Sequence, residues 1–478
     1  MALEKIGYLP NDRPSIARLV LFGFQHVLTM FPATLLVALL CGFHTSTVLL
    51  AAGLATIVAL TLSKNGIGTF IPLFYGSSFS YIASYLGIAK AMNQEVVFGV
   101  PAPDEVIRLM QAGIVVTGVL NIAIGFFIRS IGKKAVDKVL PPVVTGSVAC
   151  VIGFGLAQAA LNMSFTNGYW AIAFVTLIVT LACSHILQGR GLIGMLPVLL
   201  GAIAGYMLTL VIAPDQVNFR HVVSAPLLAM PHLTWPDFSG PLVMTAVFSI
   251  SIMAIATIPE STAHLYQMSV YVDKLAKEQK RPNVVLDRHV GFNLICDGVG
   301  DVICGICGGT AGTNYGENNS LMAITRNYSG WALLSAGLIC FLLAFVGKFA
   351  ALVGTVPVFV SGGLALYLFG VIGMQGIALI QENKVDLFDP LQLGVGAIIM
   401  VIGIGGNIGF KDGFLPIVVP GIFPKGLPAI ATAALVGVVI NLVLNFWKPR
   451  RRPGIPAQVP TVKLDLLSDN SVELRGQK

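Results

Sequence analysis

Charged residues are scarce in this chain. Asp, Glu, Lys and Arg make up 11% of its 478 residues, hydrophobic residues make up 55%, and the mean hydropathy is +0.84. A soluble domain typically has about 25% charged residues. The shortfall excludes an ordinary soluble protein and indicates an all-α, polytopic membrane protein. The 52 glycines and 26 prolines fit this class, because both residues are frequent in membrane helices.

Other features that would indicate an enzyme or a cofactor site are also missing. We find no metal-ligand triad and no activated nucleophile, so we expect no enzyme, no metal and no cofactor other than a coupling proton. The seven cysteines are an odd number, and the CxxC of Cys304 and Cys307 lies in an apolar stretch, where helix packing is its simplest interpretation. Residues 1–15 contain no apolar run, which predicts the absence of a cleavable signal.

The net charge of +7 is distributed unevenly between predicted loops. The basic residues concentrate in two loops and in the C-terminal tail, at Arg129, Lys133, Lys134, Lys138, Lys274, Lys277, Lys280, Arg281, Arg288, Lys448, Arg450, Arg451 and Arg452. The alternate loops are poorer in Lys and Arg. The positive-inside rule then predicts that both termini are cytoplasmic and that the number of spans is even. We do not interpret the charge as affinity for nucleic acid.

Apolar segments of about 20 residues predict fourteen membrane spans. We place them near 16–42, 45–62, 69–90, 105–128, 140–160, 168–187, 191–213, 241–267, 288–306, 314–328, 330–350, 356–381, 390–407 and 427–447. The polar loop 213–240 leaves seven spans on each side. Because seven is odd, the second half enters from the opposite side, as inverted repeats do.

Spans three and ten contain similar interruptions. Span three begins with PLFYGSSFSYI (72–82), and span ten begins with TNYGENNSLMAI (313–324). Both place an aromatic–Gly pair and small polar residues before a helix, so we predict that short extended stretches break these two spans. Interrupted segments at matching places of two repeats indicate a binding site at mid-membrane depth.

The two interruptions supply the first candidate ligands. A broken helix leaves backbone N–H groups free, and its N-terminal dipole favours acceptors. Gly316 permits close approach of the backbone, and Glu317 begins the following helix. In span three, Ser78 adds a hydroxyl, and the ring of Phe79 could stack on a flat ligand or simply pack in the core.

Further candidates lie in spans one, eight and nine. Glu260 and His264 are four residues apart in IPESTAHL, so they share a helix face. A carboxylate in the membrane is costly and is usually functional, and histidine exchanges protons near neutral pH. His26 could join such a relay or could form a helix–helix hydrogen bond. Asp297 and Asp301 could suggest a cation site, but no other cluster of oxygen ligands supports one.

These motifs, taken in order, resemble a known family. QH in span one, GSSF in span three, E-x-x-x-H in span eight, NYGEN and MAITR in span ten, and GGLALYLFGVIG (362–373) are similar to the nucleobase–ascorbate transporters. The resemblance covers about 15–447 and is strongest to the uracil/xanthine permease branch, especially the bacterial uracil permeases. Glu317, Asn318, Thr325 and Arg326 match the family signature, whereas Ser320 stands where glycine is usual.

The resemblance implies a fold of fourteen spans in two inverted repeats, commonly assembled as a homodimer. A core domain comprises spans one to four and eight to eleven, and a gate domain comprises the other six. The implied divisions are a tail 1–15, core 16–128, gate 129–213, core 241–350, gate 356–447 and a tail 448–478.

The resemblance also implies roles for individual residues. Glu260 and Glu317 bind the base, the backbone at Phe79 and Gly316 contributes amide contacts beside Ser78, and His264 acts with Glu260 and His26 in proton coupling. We therefore expect a proton-coupled uracil importer of the cell membrane that works by alternating access. A xanthine or purine permease of the same family is the alternative, followed by an anion transporter or channel on the same fold.

Overall fold

The structure is a computed structural model that describes residues 7–131, 141–187, 193–420 and 422–446. The predictions for residues 1–6, for the loop lysines 133, 134 and 138, and for the tail 448–478 lie outside the described residues. The described chain is mostly helical, as the composition predicts.

We number the helices of the described residues in chain order. They are α1 Ile16–Cys41, α2 Thr45–Ile67, α3 Ile82–Ala91, α4 Asp104–Ile131, α5 Pro142–Gly155, α6 Ala157–Ser164, α7 Trp170–Ile186, α8 Pro197–Ile212, α9 Arg220–Ser224, α10 Val243–Ser251, α11 Ala254–Glu278, α12 Val290–Cys307, α13 Gly316–Thr325, α14 Gly330–Leu343, α15 Gly347–Val353, α16 Val358–Glu382, α17 Pro390–Met400, α18 Gly406–Gly409 and α19 Ala429–Phe446. The strands are β1 Tyr75–Ser77, β2 Gly312–Asn314, β3 Phe414–Leu415 and β4 Leu427–Pro428.

The helices are apolar enough for a membrane. Within the described ranges, eight helical segments are long and apolar enough to cross a bilayer, and four further apolar helices have 10–17 residues. The chain is therefore built as a multi-pass membrane protein. The count of fourteen spans stays a prediction.

Two strands bring the halves of the chain together. Tyr75, Gly76 and Ser77 of β1 pair antiparallel with Asn314, Thr313 and Gly312 of β2. The pairing continues on both sides, since Ser78 N donates to Ala311 O at 3.1 Å and Tyr315 N donates to Phe74 O at 3.0 Å. A 3₁₀ turn and α3 follow β1, while α13 follows β2. The two glycine-rich interruptions thus lie side by side.

Gly76 is required by this close approach. A Cβ built on Gly76 would lie 2.6 Å from Cζ of Tyr315, and one on Gly312 would lie 2.2 Å from the Gly76 carbonyl oxygen. The Tyr315 hydroxyl donates to Ser77 O at 2.8 Å and is 2.8 Å from Thr34 Oγ1. These contacts fix the start of α13 against β1.

The helices pack mainly in two groups. In the first helix group, α4 packs on α10 and α12, and α14 packs on α1 and α2. In the second helix group, α16 packs on α5, α6 and α7, while α7 packs on α8 and α17 on α19. Small residues form the closest crossings, as is usual in membrane proteins. For example, a Cβ on Gly118 would lie 2.6 Å from Gly298 O, and one on Gly153 would lie 2.2 Å from Gly373 N.

Helix α11 differs in length from the predicted eighth span. Hydrophobicity ends the span near residue 267, but the helix continues to Glu278. The added turns are amphipathic, because Met268, Val272 and Leu275 are buried while charged residues occupy the other face. Pro259 lies inside α11, where its missing N–H removes the helical hydrogen bond to the carbonyl of Ile255.

Candidate functional site

Glu260 and Glu317 lie on two helices, α11 and α13, that contact one another. Glu260 lies inside α11 and Glu317 in the first turn of α13. The two carboxylates are close enough to repel each other electrostatically. Both side chains are exposed, and within the described residues neither accepts a hydrogen bond from another side chain. Two acids from opposite halves of the chain therefore share one accessible position.

The accessible side of α11 leads from this position to one end of the helix. The polar Glu260, Gln267 and Lys274 are exposed at helical spacing, with the exposed apolar residues Ala263 and Val270 between them. Toward the other end of α11, Thr257 is buried. Membrane helices rarely turn charged side chains to lipid, so a face with these polar residues indicates a water-accessible passage. The passage leads toward the basic loop that follows Glu278.

His264 lies against the beginning of α13. A Cβ on Gly316 would lie 2.9 Å from Nε2 of His264, so the glycine leaves the space that the ring occupies. Asn319 Nδ2 donates to the His264 carbonyl oxygen at 3.3 Å. Nδ1 of His264 is buried and has no hydrogen-bond partner among the described residues. The histidine is thus one helical turn from Glu260 and in contact with the segment that carries Glu317.

Phe79 and Ser78 lie directly after β1. Phe79 is half-buried, and its ring centroid is 6.1 Å from that of Phe369, which belongs to α16 of the second helix group. Ser78 is buried, and its Oγ accepts a hydrogen bond from Ser80 N at 3.3 Å. Phe79 therefore lies where the two helix groups meet, and the Ser78 hydroxyl caps the turn.

His26 has a different environment from His264. It is 1% exposed, and Asn318 Nδ2 donates both to its Nδ1 at 3.1 Å and to its carbonyl oxygen at 3.2 Å. This geometry matches the helix–helix interpretation, because it ties α1 to α13. Its role in proton coupling stays a prediction.

Sequence reasoning missed a polar hub behind Glu260. Ser261 Oγ accepts hydrogen bonds from Asn293 Nδ2 and Asn314 Nδ2, both at 2.7 Å, and donates to Asp297 Oδ2. The hub joins α11, α12 and β2. Its only signal in the sequence is the presence of these polar residues in otherwise apolar segments.

Asp301 forms a second buried centre. Its Oδ1 accepts from the Tyr75 hydroxyl at 2.5 Å and from Gly312 N at 2.9 Å, while its Oδ2 accepts from Asn121 Nδ2 at 2.9 Å. The residue is fully buried. Through these three hydrogen bonds, the Asp301 carboxylate joins α12 to β1, β2 and α4. Asp301 therefore has a structural explanation that requires no bound cation.

Comparison with known proteins gives the class. Residues 17–411 match the model of the Permease family. The uracil permease of Bacillus caldolyticus is 32% identical over 445 residues, which cover 91% of this chain and 94% of that protein. The uracil permease of Bacillus subtilis (strain 168) is 32% identical over 457 residues, which cover 93% and 96%. The chain is thus a multi-pass membrane permease. It belongs to the nucleobase–ascorbate transporter family.

A solved structure has the same fold at much lower sequence identity. Murine Solute Carrier 26 family member A9, an anion transporter in the inward-facing state, superimposes with a TM-score of 0.62 and 13% identity. The match covers 91% of this chain and 69% of that one. At this identity the similarity concerns the fold alone.

Proposed function

We propose that this protein is a proton-coupled symporter that imports uracil across the cell membrane by alternating access. The observation that carries the proposal is the accessible pair Glu260 and Glu317, which lies beside the start of a helix and beside His264. The names of the 32% identical relatives support uracil as the substrate.

The chemistry of the position suits uracil. The base is flat and neutral, and it presents two N–H donors and two carbonyl acceptors. Ionised carboxylates only accept hydrogen bonds, so Glu260 and Glu317 match the donors. The first N–H groups of α13, at Gly316 and Glu317, have no partner within the helix and match a carbonyl oxygen. The ring of Phe79 can stack on the face of the base.

A proton completes this arrangement. Two like charges at short range in a membrane are costly, and a proton bound at Glu260 relieves the repulsion from Glu317. His264 lies one turn away and can pass the proton on, since histidine titrates near neutral pH. Proton and uracil then bind together from outside, and both leave into the cytoplasm.

The packing supports the predicted repeats. If each span of the first half corresponds to the span seven later, the pair α2–α14 maps onto the pair α12–α4. The pairs β1–β2 and α5–α16 map onto themselves. This pattern supports fourteen spans in two inverted repeats, with the first helix group as the core domain and the second as the gate.

The exposed side of the Glu260–Glu317 site supports access from the cytoplasm. The passage along α11 runs toward Lys274 and Lys277, which the positive-inside rule assigns to the cytoplasm. We infer an inward-facing conformation with both termini cytoplasmic. In the outward-facing conformation, the core moves against the gate at contacts such as Phe79 with Phe369. The resemblance further implies a homodimer, which mass measurement in detergent would test.

Uptake by proteoliposomes tests the proposal. With an acidic outside, vesicles containing the protein should accumulate labelled uracil, and collapse of the pH gradient should stop accumulation. Unlabelled uracil should compete strongly and xanthine weakly. Stronger competition by xanthine would replace uracil with a purine as the cargo, and accumulation that ignores the pH gradient would refute proton coupling.

A further inference from the structure

Three potential metal ligands meet on the side of the protein opposite the basic loops. His44 immediately precedes α2, Asp104 is the first residue of α4, and His232 lies in the extended segment between the two halves. One ligand atom from each lies within 4.8 Å of the other two. The three residues are far apart in sequence, so spacing alone does not reveal the cluster.

The distances are close to those of a coordinated ion. His232 Nε2 is 3.0 Å from both carboxylate oxygens of Asp104, and the ring centroids of His44 and His232 are 4.4 Å apart. Ligand atoms of a tetrahedral zinc ion are about 3.4 Å apart, given bonds of about 2.0–2.2 Å. The side chains of His232 and Asp104 are 50% and 52% exposed, so both can make the small rotation that this requires.

The backbone around His232 is held in place without a metal. Thr47 Oγ1, in the first turn of α2, donates to the His232 carbonyl oxygen at 2.6 Å. Gln111 of α4 exchanges two hydrogen bonds with Thr234, at 2.8 and 2.7 Å. The segment that carries His232 is therefore attached to both helices that carry the other two ligands.

The charges around the cluster favour a cation. Asp104 brings one negative charge directly beside the two imidazole rings. Glu105 adds a second carboxylate to the first turn of α4. Arg108 lies one turn after Asp104 on α4, but its Nε donates to Trp235 O at 3.1 Å and it pairs electrostatically with Asp237.

We propose that His44, Asp104 and His232 form a binding site for a divalent transition-metal ion, with zinc as the best match. Two imidazoles and one carboxylate are a ligand set typical of zinc, and the exposed side of the cluster leaves a fourth position for water. His44 also lines a cleft of about 490 Å³ together with Phe98, Thr355 and His221. The metal would thus bind at the wall of this cleft. Binding does not depend on the proposed transport activity.

Calorimetric titration of the purified full chain with zinc tests the site. The protein should carry no polyhistidine tag and should first be stripped with a chelator. We expect one zinc per chain in the wild type, and an affinity at least about 10-fold lower in His232→Gln and in Asp104→Asn, since each loses a direct ligand. Magnesium should not compete, because it prefers oxygen ligands.

His221→Gln is the matched control, because His221 lines the same cleft but lies outside the cluster. It should bind zinc like the wild type. Equal loss in His221→Gln, or undiminished binding in the double variant His44→Gln/His232→Gln, would overturn the proposal. Thermal unfolding separates misfolding from loss of the site: zinc should raise the melting temperature of the wild type and of His221→Gln more than that of the ligand variants, while the metal-free proteins should melt alike.

The pH dependence provides a second readout. Protons compete with a metal ion for the imidazole nitrogens, so zinc affinity should fall as the pH is lowered. A calorimetric affinity that stays constant from pH 7 to pH 5 would exclude histidine ligation.

Discussion

Two pairs of acidic residues lie on helices α11, α12 and α13, and their surroundings differ sharply. Asp297 and Asp301 are buried, and neighbouring hydroxyl, amide and backbone groups donate hydrogen bonds to them. Glu260 and Glu317 are exposed, and no other side chain among the described residues donates to them. The first pair lies behind the second, on α12.

The difference separates structural acids from acids available to a ligand. Asp301 accepts three hydrogen bonds and Asp297 accepts one, and a buried carboxylate that accepts from its neighbours holds them in place. An accessible carboxylate to which no other side chain donates keeps capacity to accept hydrogen bonds from a ligand. In sequence, both kinds occur as polar residues in apolar spans. Burial and hydrogen bonds from neighbouring side chains therefore distinguish them, and substitutions can test the distinction.

The largest effect is expected at the accessible pair. Glu260→Gln and Glu317→Gln should each abolish uracil accumulation, because each removes an ionisable acceptor from the site. Loss of a charge-assisted hydrogen bond of about 1.5–3 kcal/mol corresponds to roughly 10- to 150-fold weaker binding. Uptake by whole cells, with the amount of inserted protein measured in parallel, checks the expectation.

Glu382→Gln is the matched control for this experiment. Glu382 is exposed at the end of α16, away from the site, and the substitution should leave uptake unchanged. Normal uptake by either site variant would remove the basis for treating the two pairs differently.

Substitution in the buried pair, Asp297 and Asp301, should lower the stability of the protein. In Asp301→Asn, the new side-chain NH₂ group can face Asn121 Nδ2, which donates to Asp301 Oδ2 in the wild type. Two hydrogen-bond donors then face each other, and the hydrogen bond is lost. We expect the variant to lose about 1–3 kcal/mol of stability, measured as a lower melting temperature in detergent.

A second substitution can restore the lost pairing. Asn121→Asp combined with Asp301→Asn exchanges donor and acceptor and keeps the total charge. The double variant should melt closer to the wild type than Asp301→Asn does. If the double variant were the less stable of the two, the assigned hydrogen bonds would not be what holds this region together.

An intermediate effect on uracil binding is expected at Gly316, where the start of α13 contacts His264. Gly316→Ala places a methyl group 2.9 Å from Nε2 of His264, so the ring or the start of α13 must shift. Such overpacking typically costs about 1–3 kcal/mol, and we expect weaker uracil binding, measured by calorimetry. Gly370→Ala is the control, because a Cβ there would contact nothing within 4 Å. Equal uracil affinity in both variants would show that uracil binding does not depend on close packing between His264 and the start of α13.

The smallest effect concerns an ion pair at the end of the passage. Arg326 pairs with Glu278, and both side chains are exposed by more than a third. Exposed pairs contribute about 0–1 kcal/mol, so Glu278→Gln should hardly change the melting temperature. A loss as large as that of Asp301→Asn would mean that exposure does not separate strong from weak contacts in this protein.

The sequence predicted the helical segments well because apolar runs of span length leave few alternatives. The predicted interruptions coincide with β1 and β2, which precede α3 and α13, and their interpretation as breaks in membrane spans stays a prediction. The sequence did not predict the extension of α11 to Glu278, because amphipathic turns at a membrane surface lack the hydrophobicity that defines a span.

Contacts between segments that are distant in the chain could not be predicted from the sequence. The role of Ser261 depends on Asn293 and Asn314, which reach it from α12 and from β2. The meeting of His44, Asp104 and His232 depends on the path of the connection between the two halves. Spacing rules find ligands on one element, whereas these groups come together only through packing.

The pairing of β1 with β2 has a consequence for biosynthesis. Ser77 and Thr310, whose hydroxyls are 2.6 Å apart, are separated by 233 residues. At about 5–20 residues per second, the ribosome needs roughly 10–50 s to make the second partner after the first. During that interval, β1 must keep its peptide groups out of the lipid or find temporary partners, because unpaired backbone is costly there. A nascent chain released before residue 310 therefore lacks the partner that completes its interior, and cellular quality control should degrade it.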